Sequence, residues 1–206
     1  MASNHRVPLI VFEHNSPLFV KKKSTLDPII SSKGLMRRIL YPYLLWKEIC
    51  RKRYLLAYSS KYILLSRGFI PEFCKLIGER EDNPKVSFIH NPIVHIKTTA
   101  TRKNNVILCV SRLEKEKRID LMLNIWHSIS SKLVNWKFVI VGDGSLRKSL
   151  ERKIRKQNIL RVELIGYADP LPYYEEAKIF WMTSKFEGWG MTLVEAMQCA
   201  CVPIVY

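Results

Sequence analysis

The residues Ser184-Lys185-Phe186-Glu187-Gly188-Trp189-Gly190-Met191-Thr192-Leu193-Val194-Glu195-Ala196 hold the most suggestive chemistry in the chain. Glu187 is expected in a loop that follows a short apolar run, Ile179–Met182. Gly188 and Gly190 allow the backbone to approach a ligand closely, since neither carries a Cβ. A helix expected from about Met191 to Cys199 leaves the amides of Gly190, Met191 and Thr192 unpaired at its amino end, where an anion is favoured. Glu195 falls about one turn into that helix, so it can face the same crevice as Glu187. Phosphate alone gives no reason for two carboxylates beside such a helix end. Phosphate joined to hydroxyl-rich groups does, because a carboxylate accepts hydrogen bonds from two vicinal hydroxyls. These residue types describe a nucleotide sugar as ligand. The plain alternative is that Glu187 and Glu195 only cap the helix or face solvent.

Two other segments offer anion-binding groups. Ser111-Arg112-Leu113-Glu114-Lys115-Glu116-Lys117-Arg118 follows an apolar run and brings Arg112 and Lys117 onto one turn. The guanidinium fork and the ammonium point charge suit a pyrophosphate; a solvated loop rich in Lys and Glu is the alternative. Gly142-Asp143-Gly144 also follows an apolar run and opens a helix, as a phosphate-binding turn would, although Arg147 stands where a third glycine belongs. A tight strand-to-helix turn explains the same residues.

The elements that must position these groups follow from hydrophobic spacing. In the second half, strands are expected at Val106–Val110, Phe138–Val141, Val162–Ile165, Ile179–Met182 and Val202–Val205. Helices are expected from Ile119, Met122, Trp126, Ile129 and Leu133, from Leu146, Leu150 and Ile154, around Tyr173–Ala177, and from Met191 to Cys199. Strands and helices alternating at this interval imply parallel βαβ units in a doubly wound sheet, with ligands at the carboxyl ends of the strands. The first half is less regular. Strands are expected at Pro8–Glu13, Tyr62–Leu65 and Val86–Ile89, with a helix at Ile70–Ile77. A basic, aromatic-rich segment from Leu35 to about Tyr58 reads as helical with an interruption at Pro42. Lys21-Lys22-Lys23 sits in a polar stretch, and the polar residues Thr98–Asn105 have linker composition. Both halves look like partial doubly wound domains, which when complete run to roughly 100–200 residues.

Composition narrows the classes further. The chain has 206 residues, 48% hydrophobic and 25% charged, as an ordinary globular protein does and a disordered or fibrous one does not. No apolar run approaches the roughly 20 residues needed to span a bilayer, and Val7–Phe12 is too short for a signal-peptide core. Cys50, Cys74, Cys109, Cys199 and Cys201 are odd in number and unpatterned, which points to a reducing cytoplasm rather than a disulfide frame or zinc site. Residues 1–103 hold 19 Lys and Arg against 7 Asp and Glu, and residues 104–206 hold 15 against 11. The excess in the first half predicts an anionic partner: nucleic acid, acidic lipid head groups or a phosphorylated substrate.

The order of these motifs resembles the family-4 retaining glycosyltransferases of GT-B fold, the group 1 glycosyltransferases. Seven residues separate Glu187 from Glu195, as in that family's pattern. The likeness continues at Ser111-Arg112-Leu113 with Lys117, at Val141-Gly142-Asp143-Gly144, and at Ala196-Met197 with Pro203-Ile204-Val205. It extends more weakly through Glu13-His14-Asn15, Leu64-Leu65-Ser66 and Ile89-His90-Asn91-Pro92. The resemblance implies two partial Rossmann-like parallel-sheet domains facing a cleft. Residues 1–95 would form a partial acceptor-side domain, 96–105 a linker, and 106–206 a partial nucleotide-sugar-binding domain. The family's complete chain would be about twice this length, so the sequence reads as a fragment.

The roles implied by that resemblance attach to individual residues. Arg112 and Lys117 would hold the donor diphosphate, and Glu187 would bind hydroxyls of the transferred sugar. The backbone of Gly188, Trp189, Gly190, Met191 and Thr192 would touch sugar and phosphate, Glu195 would hold the ribose, and His14 would project toward the reacting centre. Arg118 departs from the family, which usually has Gly there. The reaction implied is retaining transfer of a hexose from a nucleoside diphosphate sugar to an acceptor, a lipid-linked glycan, in cell-surface polysaccharide or lipopolysaccharide synthesis. No metal or other cofactor is expected: no Asp-x-Asp pair is present, and His5, His14, His90, His95 and His127 lack ligand spacing. Met36-Arg37-Arg38-Ile39-Leu40-Tyr41, with Tyr43-Leu44-Leu45-Trp46-Lys47 and Arg51-Lys52-Arg53-Tyr54, would let a cytoplasmic protein lie on the anionic inner face of the plasma membrane. The alternative is a core-facing helix with a solvated basic side. Rival functions are a donor-binding fragment without turnover, a sugar-nucleotide epimerase, and a basic nucleic-acid-binding module, the last opposed by the two crevice carboxylates and the lack of any nucleic-acid motif.

Overall fold

A computed structural model describes residues 8–17, 32–96, 98 and 102–206, without the side chains of residues 32–35 and 37. Lys21-Lys22-Lys23 lies outside the described residues. The chain divides into two compact units, Met1–Pro92 with Glu187–Trp189, and Ile93–Phe186 with Gly190–Tyr206.

The first unit has a parallel sheet of three strands in chain order, β1 (Ile10–Glu13), β2 (Lys61–Leu64) and β3 (Val86–Phe88). Two helices serve it, α1 (Ser32–Tyr58) and α2 (Phe69–Ile77). Tyr62, Leu64, Phe73, Cys74, Ile77 and Leu56 form its core. Gly78 closes α2 in the left-handed region at φ 70°, donating its amide to the Cys74 carbonyl. The expected break at Pro42 does not occur, and α1 starts three residues earlier than the sequence suggests. Proline removes one amide and crowds the carbonyl four residues back. Arg38 and Pro42 are both exposed, so water can reach the carbonyl left without a partner.

Part of the basic character of α1 is turned inward. Lys52 is only 1% exposed, with its Nζ 2.5 Å from Glu13 Oε2 and 3.3 Å from Glu48 Oε1. Arg51 grips Glu48 through Nε at 3.0 Å and Nη2 at 2.7 Å, and Arg53 Nε donates to the Ile77 carbonyl at 2.6 Å. The Tyr62 hydroxyl donates to Glu13 Oε2 at 2.6 Å. Burial, followed by that bond to the carboxylate, pushes the Tyr62 phenol well above its usual range and keeps it a donor. An ammonium left unpaired at the Lys52 site would be strongly destabilising, so the Glu13 and Glu48 carboxylates are a condition of its burial.

The second unit has a five-stranded parallel sheet in the order β6 (Val162–Gly166), β5 (Lys137–Val141), β4 (Asn104–Val110), β7 (Ala177–Met182), β8 (Val202–Val205). Its helices are α3 (Ile119–Ile129), α4 (Arg147–Lys156), α5 (Leu171–Glu176) and α6 (Met191–Gln198), with a 3-10 turn at Lys115–Lys117. Alternation along the strands covers both faces. Ile107, Cys109, Phe138 and Ile140 pack with Met122, Leu123 and Trp126 on one face. Val106, Leu108, Val139 and Val141 pack with Tyr174, Phe180 and Ala196 on the other. The chain leaves β4 to build β5 and β6 on one side, then returns to add β7 and β8 on the other. That reversal sets a topological switch point between β4 and β7, where doubly wound sheets take their ligands.

Two boundaries differ from expectation. α3 stops at Ile129, with the Ser130 amide bonded to Trp126 O at 2.8 Å, so Leu133 lies in the turn beyond it and still packs on the core. β4 starts at Asn104, taking in two residues expected in the linker, because Asn104 pairs with Ala177 of β7.

Candidate functional site

The loop that leaves β4 at the switch point is held on two sides. On the β5 side, Ser111 N–H donates to Val141 O at 3.0 Å, Leu113 N–H to Asp143 O at 2.9 Å, and Leu146 N–H to Leu113 O at 3.0 Å. The two glycines of Gly142-Asp143-Gly144 are what permit this approach. A Cβ on Gly142, at φ 136°, would come 2.0 Å from Ser111 O, and one on Gly144 would come 2.7 Å from Leu113 O. Just past them, the amide and hydroxyl of Ser145 donate to the Glu114 carboxylate at 3.0 and 2.7 Å. Those two bonds hold the Glu114 carboxyl below its usual value. The Ser145 amide is therefore occupied by a carboxylate of the protein itself. Gly142-Asp143-Gly144 is the tight strand-to-helix turn rather than the phosphate cradle, and it serves to brace the neighbouring loop.

On the β7 side, the Thr183 hydroxyl donates to Lys117 O at 3.0 Å, with Arg118 O at 3.2 Å, and Lys185 N–H donates to Glu116 O at 2.7 Å. The segments that emerge from β4 and β7 are thus tied together next to the switch point. Within this frame Arg112 is 74% exposed and only loosely engaged, its Nη2 3.4 Å from Glu116 Oε1. Lys117 ends the 3-10 turn and is half-buried. Arg118 takes φ 55° and ψ 39°, the left-handed region. That conformation explains why glycine suits the position: a residue with a Cβ pays roughly 1–2 kcal/mol there. Its guanidinium lies 5.3 Å from the centre of the Tyr206 ring. Lys117 keeps its place at the end of the turn despite the substitution.

Beyond β7 the backbone reaches Gly190, left-handed at φ 74° and ψ 48°, and enters α6 at Met191. Thr192 lies in the first turn of α6 and Glu195 one turn on. Glu195 Oε2 accepts a hydrogen bond from the Tyr174 hydroxyl at 2.9 Å, which leaves Oε1 for another donor.

Arg112, Lys117, Gly190, Met191, Thr192 and Glu195 all belong to the second unit, and Glu187, Gly188 and Trp189 group with the first. Within the first unit, a Cβ on Gly188 would sit 2.6 Å from the carbonyl oxygen of His14. The His14 ring, exposed after β1, stacks on Phe12 at 6.1 Å, and the Trp189 ring lies 4.7 Å from that of His90. The bracing residues Glu114, Ser145, Thr183 and Tyr174 were not legible beforehand. Their partners are remote in sequence, and no spacing rule joins them. Among the described residues no three His, Cys, Asp or Glu side chains gather as a metal site, and no helix is long and apolar enough to cross a membrane.

Comparison with known proteins bears on what such a site does. The family described as glycosyl transferases group 1 matches residues 92–206, more than half of the chain. The chain is 27% identical over 194 residues to a Campylobacter jejuni GalNAc-alpha-(1->4)-GalNAc-alpha-(1->3)-diNAcBac-PP-undecaprenol alpha-1,4-N-acetyl-D-galactosaminyltransferase, covering 93% of this chain and 47% of that one. It is 34% identical over 107 residues to the amylovoran biosynthesis glycosyltransferase AmsD of Erwinia amylovora, covering 51% of this chain and 30% of that one. Among solved structures, a TarM mutant of S. aureus in complex with fondaparinux, alpha-GlcNAc-glycerol and UDP superposes with a TM-score of 0.66 at 25% identity, covering 75% of this chain and 32% of that one. The chain thus spans half or less of the length of each.

Proposed function

Because the chain belongs to the group 1 glycosyl transferases, we propose that it binds a nucleoside diphosphate sugar and transfers the hexose, with retention, to a hydroxyl of a lipid-linked glycan in surface polysaccharide or lipopolysaccharide synthesis. The observation that carries this is the bracing at the switch point. Thr183 and Lys185 bind the Arg112–Lys117 loop to the segment that leads into α6, where Glu195 resides. On this reading that tie lets the cations of the loop and the Glu195 carboxylate serve one ligand.

In this assignment Arg112 forks onto the diphosphate and Lys117 neutralises the charge that grows on it as the sugar departs. The amides of Gly190, Met191 and Thr192 receive phosphate oxygens. Glu195 accepts from the ribose hydroxyls, Glu187 from hydroxyls of the transferred sugar, Gly188 and Trp189 offer backbone beside that sugar, and His14 acts at the reacting centre. Two cations assigned to the diphosphate would supply the charge a divalent ion would bring, so the reaction we propose needs no metal. The names of the C. jejuni and E. amylovora relatives, one with an undecaprenol-diphosphate acceptor and one in amylovoran synthesis, support the acceptor class. The carboxylates assigned to the donor, Glu187 and Glu195, each oppose a polyanion such as nucleic acid.

The test is calorimetric titration of the 206-residue chain with UDP- and GDP-linked hexoses and N-acetylhexosamines. One donor is expected to bind, with Arg112→Ala weakening it by about tenfold or more, the scale of one charge-assisted bond. Flat baselines for a folded sample across the panel would overturn the proposal. A second reading, a donor-binding piece that does not turn over, is favoured by the 47% span of the C. jejuni relative, and binding without transfer would select it.

The acceptor class also bears on α1. Met36, Ile39, Leu40, Tyr43, Leu44 and Trp46 are exposed there, alongside exposed Arg38 and Lys47. We propose that this surface rests on the anionic inner face of the plasma membrane, with the protein otherwise cytoplasmic. The chain is expected to float with vesicles containing phosphatidylglycerol and to be released by high salt. Equal flotation with neutral vesicles, or none with either, would refute the contact.

A further inference from the structure

Building on the assignment of Glu195 to the donor's ribose, we infer that Tyr174 is the positioning residue for that carboxylate, and that the pair makes the site selective for ribonucleotides over deoxyribonucleotides. Tyr174 and Glu195 lie on different helices, α5 and α6, 21 residues apart. They are joined by the bond from the tyrosine hydroxyl to Glu195 Oε2 at 2.9 Å.

The tyrosine is immobilised from every side. Its ring is 1% exposed and belongs to the core face formed by Leu108, Val139, Phe180 and Ala196. The Phe180 ring lies 6.0 Å away at an interplanar angle of 57°. Its backbone amide donates to Pro170 O at 3.0 Å, while its carbonyl accepts from Lys103 Nζ at 2.7 Å and from Cys201 Sγ at 3.2 Å. The hydroxyl is the one polar atom on a ring that cannot turn, so the sheet core dictates where Glu195 Oε2 must sit. Burial first, and then the neighbouring Glu195 charge, push the phenol far above its usual range. It stays protonated and donating across the physiological range.

A glutamate on a helix surface otherwise samples several rotamers, and ordering it on binding would weaken the complex. With Oε2 anchored, Oε1 and the second lone pair of Oε2 are presented as a preformed pair of acceptors. Two vicinal hydroxyls on a five-membered ring complement that arrangement, and a ring lacking one of them leaves an acceptor unused. A tyrosine that served only the core would instead support all nucleotides equally, through the fold.

The experiment separates these roles. The 206-residue chain, its Tyr174→Phe and Glu195→Ala variants and the double variant are titrated with UDP, GDP and their 2′-deoxy counterparts, and each variant is melted. Wild type should prefer a ribonucleotide by about tenfold, the value of one hydrogen bond to a charged group. Tyr174→Phe should erase most of that preference while changing deoxyribonucleotide affinity less than about twofold. The double variant should behave as Glu195→Ala does, because the tyrosine acts through the carboxylate. Undiminished preference in a folded Tyr174→Phe chain, equal weakening of both nucleotide types, or failure of that variant to fold would each reduce Tyr174 to a core residue and overturn the inference. Wild type binding none of the nucleotides, or Glu195→Ala keeping the preference, would instead remove the ribose assignment beneath it.

Discussion

Replacing Glu187 by alanine is expected to lower transfer on the order of 10²–10³-fold, the scale seen when one donor or acceptor aimed at a reacting group is deleted. The variant should fold normally, since Glu187 is half-buried in a loop and belongs to none of the three hydrophobic cores. The expected defect has a specific form. Glu187 is assigned to hydroxyls of the sugar, so Glu187→Ala should weaken binding of the intact nucleotide sugar and leave binding of the free nucleoside diphosphate within about twofold. Glu187→Gln, which keeps an acceptor oxygen but loses the charge, should fall between alanine and wild type. Calorimetry on the 206-residue chain measures the binding half, and donor consumption in a protein competent for transfer measures the other. Transfer that survives the alanine change would take Glu187 out of the site.

Gly142→Ala is expected to unfold or severely destabilise the second unit, by about 3 kcal/mol or more. The added methyl would stand 2.0 Å from Ser111 O and 2.9 Å from Ser111 C, and both obstacles are backbone. Neither can swing aside, because Ser111 N–H is bonded to Val141 O and Leu113 N–H to Asp143 O. The φ of 136° adds strain for any residue with a Cβ. Gly68→Ala is the control: its Cβ would meet only Ser66 Oγ at 3.8 Å, at φ −64°, so stability should hold or rise by up to about 1 kcal/mol. Denaturant melts followed by tryptophan fluorescence compare the two. A Gly142→Ala chain as stable as wild type would mean that the two loops can separate without loss, and that the brace around Arg112 is dispensable.

Both expectations trace back to features that differ in how legible they were. Alternating apolar runs such as Val106–Val110 and Phe138–Val141 announced parallel strands, because side chains that point alternately to two covered faces must be apolar throughout. Helix spacing was equally plain where an apolar stripe met a core, as at Met122 and Trp126. It misled at Leu133, which packs half-buried on the core beyond the end of α3 and so mimics the stripe without being helical. Pro42 misled in the opposite direction. A proline weakens a helix locally, but a 27-residue helix with solvent beside the freed carbonyl can run through it.

For the site, residue types along one stretch of chain were enough to nominate Glu187, the following glycines and Glu195, since those groups are neighbours in sequence and one helix start sets their spacing. The glycine turn at Gly142 carried two meanings that sequence could not separate. Both a phosphate cradle and a close loop contact require a missing Cβ, and only the position of Ser111 O and the Glu114 carboxylate on Ser145 decides between them. Lys52 is the sharpest case. A lysine in a basic stretch is ordinarily solvated, yet this one is buried because Glu13, 39 residues earlier, arrives at its Nζ when β1 pairs with β2. Local chemistry could therefore be read from the order of residues, whereas the partner of each buried charge and each fixed acceptor had to wait for chain folding to bring distant segments within hydrogen-bonding reach.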